Sequence, residues 1–445
     1  MLGILLSAQL VMSMGAFGYG PLAPYLRETY GISRSQVGSL ISIFYFTCTL
    51  TAIPAGIIVD RIGARLMLIL CLLMEGVPYA ALSLAGNYFF LAVFSALGGI
   101  GYAFINQVST KGIMQWFAIR ARATAMGIKQ SGVTIGGAVV AWLLPVLSTA
   151  YSWEWGVLSI SLSMFLMALV AFLFYCEYPP EDAEDTKDAL SPAPATGPEP
   201  EKAQSIYATM RQPMLLTLLV VAPFLAFSQG CLVGFLVLYL KEELHFSVEM
   251  AGACMTAAMI AATAGRIGWG AASDVIFRGD RVKPLIILSL VGGISAAGMA
   301  FLSKNPPSAA VFLWSMLLGV TLSGWNGLVM ILSAELGGKA RAASAVSIVL
   351  TSVGLGFLAG PVAFGFVADH QGYFASWMLV LASSLISVAG FLRIYRMKGR
   401  MQGRMQGRIK EQINGRVREG HAGARAFPAA GNDAGFGSRQ GGDRC

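Results

Sequence analysis

Charge is scarce in this chain. Only 12% of its 445 residues are Asp, Glu, Lys or Arg, while 56% are hydrophobic. Soluble domains carry about 25% charged residues, so a soluble enzyme with polar helix faces is excluded. Cysteine is sparse too. The six residues Cys48, Cys71, Cys176, Cys231, Cys254 and Cys445 form no CxxC pair, and five lie in or at the end of apolar segments. A free thiol there behaves as a small hydrophobe, so neither disulfides nor a metal site is expected. The sequence holds no nucleotide-binding loop, metal cluster or clustered nucleophile and base, so no enzyme is expected. No cofactor is expected beyond a coupling proton or other ion.

What the chain has instead is long apolar runs. A span of about 20 apolar residues crosses the hydrocarbon core, and twelve such spans are predicted. They fall at 3–26, 36–57, 66–85, 88–110, 123–147 and 155–176, then at 213–240, 248–272, 284–303, 309–333, 343–367 and 374–393. The 52 glycines suit close packing between membrane helices. The N-terminal run lacks a basic n-region and continues past the length of a signal peptide, so it reads as the first span. A chain that starts directly on a span leads us to expect a few residues before Met1. Residues 177–212, rich in Pro, Ala, Glu and Asp, read as a disordered linker. The expected organisation is therefore a six-helix bundle (1–176), a linker (177–212), a second six-helix bundle (213–393) and a basic tail (394–445).

Basic residues orient the chain. Arg61, Arg65, Lys111, Arg120, Arg122, Arg278, Arg281, Lys283, Lys339 and Arg341 all fall in the loops after spans 2, 4, 8 and 10. The opposite side has only Arg27, Arg34, Lys241 and Lys304. The positive-inside rule then places both termini and the linker in the cytoplasm of a bacterial-type plasma membrane. Twelve of the 31 Lys and Arg lie after residue 392. Glycine recurs every four residues there, which argues against a stable helix. The tail reads as a disordered segment on anionic lipid, not a nucleic-acid binder.

An internal repeat is the most informative feature. PLAPYLRETYGISRSQVG (21–38) aligns without gaps to FLVLYLKEELHFSVEMAG (235–252). Tyr25, Glu28, Ser33 and Gly38 meet Tyr239, Glu242, Ser247 and Gly252. The same offset pairs Gly56 with Gly270 and Asp60 with Asp274. A nearby one pairs Gly99 with Gly319 and Asn106 with Asn326. Two parallel six-helix repeats imply a substrate site between them near the midplane.

GIIVDRIGARLML (56–68) resembles the signature G-x-x-x-D-R-x-G-R-[RK] of the major facilitator superfamily. Gly56, Asp60, Arg61, Gly63 and Arg65 occupy its marked positions, although Ala64 shifts the second basic residue by one. Gly270 and Asp274 keep part of it in the second half. The resemblance implies an all-α membrane protein of twelve transmembrane helices in two bundles, working by alternating access. It also implies that these loops latch the halves, and that the protein is a monomer. GLGFLAGPVAFG (354–365) and SGVTIGGAVV (131–140) resemble the Gly-rich segments of antiporters, but packing accounts for them equally well. The Arg usual in the fourth helix of proton-coupled drug exporters is absent, with Ser95 in its place.

Intramembrane charges are costly, roughly 2.5–3.5 kcal/mol each at a helix centre. Two basic residues fall clearly inside spans, Lys129 and Arg266. Arg266 lies about 12 Å along its helix from Asp274, too far to snorkel, and its counterpart in the first half is Ala52. GRIGWGAASD (265–274) resembles helix 8 of oxalate:formate antiporters and monocarboxylate transporters. That resemblance implies a carboxylate-binding Arg at 266, although Ile267 replaces the family's Pro. Lys129 shares a face with Ala125, Gly132 and Gly136, which leaves room for an approaching anion. Ser95, Gly99, Tyr102, Asn106 and Ser109 form a one-face stripe on helix 4. Ser315, Gly319, Ser323 and Asn326 repeat it on helix 10. Trp325, Gln229 and Tyr19 are further candidates for the cavity wall. Glu75 is the one acidic residue well inside an apolar run and could carry a coupling proton, but the third helix is peripheral in the family resembled, so it reads rather as a neutral acid or a partner across an interface.

The expected function is secondary transport of a small organic or inorganic anion through the lipid bilayer, by uniport, symport or exchange. The alternatives are efflux of amphipathic compounds and a non-transporting membrane sensor.

Overall fold

The computed structural model describes residues 1–117, 119–176, 212–302, 306–338 and 342–424. The expected linker (bar Gln212), Lys304, Lys339, Arg341 and the last 21 residues lie outside that range, as does the side chain of Arg120. Helices α1 (Leu2–Tyr30), α2 (Arg34–Ile62), α3 (Ala64–Ala81), α4 (Tyr88–Trp116), α5 (Ile119–Ala150) and α6 (Trp153–Phe174) make the first half. The second half begins with α7 (Pro213–Glu242), α8 (Val248–Val275) and α9 (Val282–Ala300). The tenth span is broken into α10a (Ser308–Leu322) and α10b (Asn326–Gly337). The last helical stretch, Ala342–Ala424, is interrupted at Gly372 (φ 82°, ψ 175°), which divides it into α11 (342–371) and α12 (373–424).

Among the described residues, ten helices are long and apolar enough to cross a membrane, and α2, bent near Pro54, makes an eleventh. One of the ten is the 57-residue stretch Ala345–Met401. It is far longer than the roughly 20 residues one crossing takes, and Gly372 divides it into two crossings. Twelve crossings result, as the sequence predicts. The tail departs from expectation, because α12 continues to Ala424. Extending an existing helix avoids the nucleation step, so it tolerates glycines that would prevent an isolated helix.

The repeat residues hold equivalent structural posts. Ser33 caps α2, its Oγ accepting from the Gln36 backbone N–H at 3.2 Å while Gln36 bonds back to Ser33 N at 2.9 Å. Ser247 caps α8 through the Met250 N–H at 3.2 Å. Gly38 lets α2 close on the Pro361 backbone of α11, and Gly252 lets α8 close on the Ala141 backbone of α5. These are symmetry-related crossings between the halves. Gly99 and Gly319 do the same inside each half, against Phe44 of α2 and Ala258 of α8. A Cβ at Gly319 would overlap the Ala258 carbonyl oxygen. Overpacking of this kind costs about 1–3 kcal/mol. Gly319→Val is therefore expected to lower the midpoint of thermal unfolding by several degrees, measured on purified protein. Gly268→Ala, where a Cβ meets nothing within 4 Å, should leave it unchanged.

Candidate functional site

The halves are sealed together at one end of the molecule. Arg34 Nε donates to Glu242 Oε2 at 2.8 Å, the Tyr373 hydroxyl donates to the same oxygen at 2.6 Å, and Arg27 pairs with Glu242 Oε1. Asp369 accepts the backbone N–H groups of Arg34 (3.0 Å) and Ser35 (2.7 Å) and the Ser35 hydroxyl (2.5 Å). Lys241 pairs with Glu28. Below this network, Gly20 lies against the Val233 backbone and Ile41 packs on Gly234. The last bonds of the seam join α5 to α8, with Thr256 Oγ1 donating to Ala138 O at 3.2 Å and Thr263 Oγ1 to Thr134 Oγ1 at 2.6 Å.

At the opposite, basic end, the motif charges are satisfied within each half. Lys111 Nζ lies 3.8 Å from the Asp60 carboxylate and donates to the Val59 and Asp60 carbonyls at 2.9 and 3.1 Å. This cation neutralises the C-terminus of α2. Gly63, at φ 99°, makes the turn into α3. Arg65 bonds the Phe172 carbonyl of α6 at 2.7 Å. In the second half Arg281 pairs with Asp274 and, at 3.2 Å, with Glu335. Arg281 is pulled down from its usual value by burial and pushed up further by these two carboxylates, so it stays charged. Asp60 and Asp274 remain 80% and 63% exposed. In this conformation the motif latches no inter-half contact through these pairs, which fits an opening at that end. Among the described residues, Arg61, Gly56 and Gly270 add no side-chain polar contact to it.

Lys129 and Arg266 lie just beyond the Thr134–Thr263 bond, five residues along α5 and three along α8, both on the side toward the basic end. Lys129 is 1% exposed, and its Nζ donates to Asn106 Oδ1 at 2.8 Å and to Gln130 Oε1 at 3.5 Å. Arg266 Nε donates to the Ser323 carbonyl at 3.2 Å. Among the described residues neither cation has a carboxylate partner. Arg266 lies within electrostatic reach of Tyr102. Tyr102 and Asn106 are one turn apart on α4, so one helix face links the two cations.

The break in α10 is a feature that sequence reasoning missed. Ser323, Gly324 and Trp325 leave the helix, freeing carbonyls that α8 takes up. Trp269 Nε1 donates to Val320 O at 3.2 Å, as Arg266 does to Ser323 O. Non-helical backbone at membrane depth is tolerated where protein or a wet cavity meets it. The N-terminus of α10b, with its free N–H groups and positive dipole end, opens here, and a Cβ at Gly327 would meet nothing within 4 Å. The Trp325 Nε1 and Ser323 Oγ atoms beside the break are buried without hydrogen-bond partners. Asn326 Nδ2 donates to Gln229 Oε1 of α7 at 3.2 Å, which fixes the first turn of α10b. The signal was legible: S-G-W-N-G (323–327) puts two glycines and two helix-end residues within five positions.

Other candidates are placed elsewhere. Tyr19 is turned into the first half, its ring 5.8 Å from Phe44 and 6.1 Å from Tyr79. Gly132 and Gly136 leave no room beside Lys129, because α1 packs its Leu6 and Leu10 backbone into them. Ser95 and Gly99 likewise face inside the half, and the Ser109 and Ser315 hydroxyls bond carbonyls of their own helices at 2.6 and 2.8 Å.

Two six-helix halves, sealed at one end, with two cations set inside their spans, define a membrane transporter working by alternating access. A family model described as Major Facilitator Superfamily matches residues 5–330 and 218–417, and the chain belongs to that family. It is similar to a hexuronate transporter of Bacillus subtilis, 24% identical over 373 residues, covering 83% of this chain and 78% of the relative. It is also similar to a probable sulfoacetate transporter of Cupriavidus necator, 22% identical over 382 residues, covering 84% and 87%. Among solved structures, an inward-facing, unoccupied bacterial homologue of the human lysosomal transporter Spinster shares the fold. Its TM-score is 0.73 at 19% identity, covering 88% of this chain and 96% of that one. The chain is a transporter and not an enzyme.

Proposed function

We propose that the protein carries a small organic anion, a carboxylate or sulfonate, bound between Arg266 and Lys129. The observation that supports this best is the pairing of a buried Lys129 with a half-buried Arg266, both held, among the described residues, by neutral acceptors. Such an arrangement is expensive in a membrane, and a bound anion would offset it. The planar fork of Arg266 suits an acidic group bidentately. Trp325, Ser323 and the free end of α10b are further donors beside it. The relatives' names, hexuronate and sulfoacetate, are both of acids, in keeping with this reading. Asn106 holds Lys129, Asn326 and Gln229 hold the α10b turn, and Tyr102 lies within electrostatic reach of Arg266. The positive-inside rule puts the basic end and both termini in the cytoplasm of a bacterial-type plasma membrane. The conformation is then open inward and sealed outward, and one chain supplies both walls of the site.

Ligand-induced thermal shifts on the purified full-length protein test this. Glucuronate and sulfoacetate are offered as probes, with glucose as the neutral control. A ligand at 100 times its Kd adds about 2.7 kcal/mol of stability, so at least one acid should raise the unfolding midpoint by a few degrees. Arg266→Ala should abolish the shift. An acid that stabilises both proteins equally, or glucose that stabilises as well as the acids, rejects the assignment.

A further inference from the structure

We propose that Glu75 is an internal proton-binding site whose occupancy biases which end of the protein is open. Although α3 packs at the outside of the first half, against α4 and α6, its Glu75 side chain points inward, at α1. The space a Cβ would fill at Gly15 is taken by Glu75 Oε1, and one turn on, the space at Gly18 is taken by the Tyr79 hydroxyl. Gly101 of α4 lets the backbone of α3 approach, with a Cβ there only 2.6 Å from Glu75 N. From α6 come Met164 and Phe165, and Ser161, whose hydroxyl is committed to the Gly76 carbonyl at 2.7 Å. Glu75 is 0% exposed, and neither carboxyl oxygen has a hydrogen-bond partner, nor has the Tyr79 hydroxyl.

Among the described residues, the titratable groups within electrostatic reach of Glu75 are Tyr19 on α1, Tyr45 and Cys48 on α2, Cys71 and Tyr79 on α3, and Tyr102 on α4. None is basic. An ionised carboxylate without a side-chain donor or cation would cost several kcal/mol, so in this conformation the carboxyl keeps its proton. Glycine notches build the slot, and polar atoms left without partners line it.

The slot lies against the helix that makes the seal. Glu75 and Tyr79 press on α1 at Gly15 and Gly18. Gly20 of the same helix lies against the Val233 backbone of α7, and Arg27 and Glu28 carry ion pairs of the sealed end. Loss of the proton puts an anion directly on the α1 backbone. That anion can be hydrated only if α1 lifts from α3, and Gly20 lies on the opposite face of α1 from Gly15 and Gly18, so lifting α1 drives it into the α7 backbone it already touches and forces the halves apart. The proton thus binds the sealed form better, and mass action makes low pH favour that form. High pH favours the unsealed one. The proposal does not depend on which anion is carried, and loss of anion binding in Arg266→Ala would leave it standing.

The test is a distance measurement by pulsed electron paramagnetic resonance on the full-length protein. Spin labels are placed at Thr29→Cys and Glu243→Cys, both exposed at the sealed end, with Cys176 and Cys445 replaced by serine. In the parent, the ratio of short to long distances should fall about tenfold per pH unit once the single proton is released. Glu75→Gln, which mimics the neutral acid, should show the short distance at every pH. A parent that ignores pH, or a Glu75→Gln variant that still responds, overturns the proposal. Infrared spectroscopy on the unmodified protein guards against a variant that fails to fold. A protonated carboxyl band should be present at neutral pH and vanish at alkaline pH, and its absence also overturns the proposal.

Discussion

Glu242→Ala is expected to unseal one end of the transporter. Glu242 accepts from Arg34 and Tyr373 and pairs with Arg27, so its loss removes the second-half carboxylate that holds two mutually repelling cations of the first half and leaves the Asp369 carboxylate, 4.0 Å from Arg34, to tie them across. Arg34 also stacks 4.7 Å over the Tyr373 ring. The side chains of Arg27, Arg34 and Glu242 are 24%, 25% and 21% exposed. Water therefore screens part of the loss, and the effect falls below the 3–5 kcal/mol of a fully buried pair, at about 1–3 kcal/mol. That is a shift of roughly 5–150-fold in the balance between conformations. The reporter is the alkylation rate of Ile41→Cys, because Ile41 is 3% exposed and packs on Gly234 of the other half. The thiol should react slowly in an otherwise unchanged protein and at least about tenfold faster with Glu242→Ala. Glu28→Ala is the internal control. Its carboxylate is 64% exposed, and exposed pairs contribute about 0–1 kcal/mol, so the rate should barely change. Equal rates in all three proteins would show that the seal rests on the glycine-mediated helix contacts alone.

The scaffold was legible in the sequence because its determinants are local or repeated. Apolar runs gave the crossings, and the repeat singled out Ser33 and Ser247, which cap helices, and Gly38 and Gly252, which seat the crossings between halves. The repeat also paired Glu28 with Glu242 before any role could be assigned to them. Those roles rest on Arg34, 208 positions from Glu242, and Lys241, 213 positions from Glu28, and no periodicity reports such distances. Lys129 and Arg266 were legible by the cost of burying charge, a rule that needs no partner to be known. The same rule marked Glu75, but the outward position of α3 masked the fact that its side chain points inward. Helical spacing alone misled at Gly132 and Gly136. It identifies a face, and only packing decides whether that face meets α1, a neighbour in the same half, or the cavity. The break in α10 was written in S-G-W-N-G yet overridden by the hydropathy of the whole run.

The two midplane cations look equivalent by charge, and substitution should separate them. Lys129→Met is expected to raise thermal stability while removing anion binding. Methionine matches the lysine stem in length, and replacing a buried ion by an apolar group of similar volume is often neutral or stabilising by about 1–4 kcal/mol. The group left behind, Asn106, is exposed and can be hydrated, so no buried acceptor is stranded. Affinity should fall in the opposite sense. A charge-assisted bond contributes about 1.5–3 kcal/mol, so glucuronate or sulfoacetate, whichever stabilises the parent, should bind roughly 10–150-fold more weakly. Arg266→Met should lose both properties, because its guanidinium also holds the Ser323 carbonyl freed at the break in α10. Unfolding midpoints measured with and without the acid distinguish the two. A Lys129→Met protein that is less stable than its parent, yet still responds to the acid, would show that Lys129 clamps α5 to α4 and that the site is built on Arg266 alone.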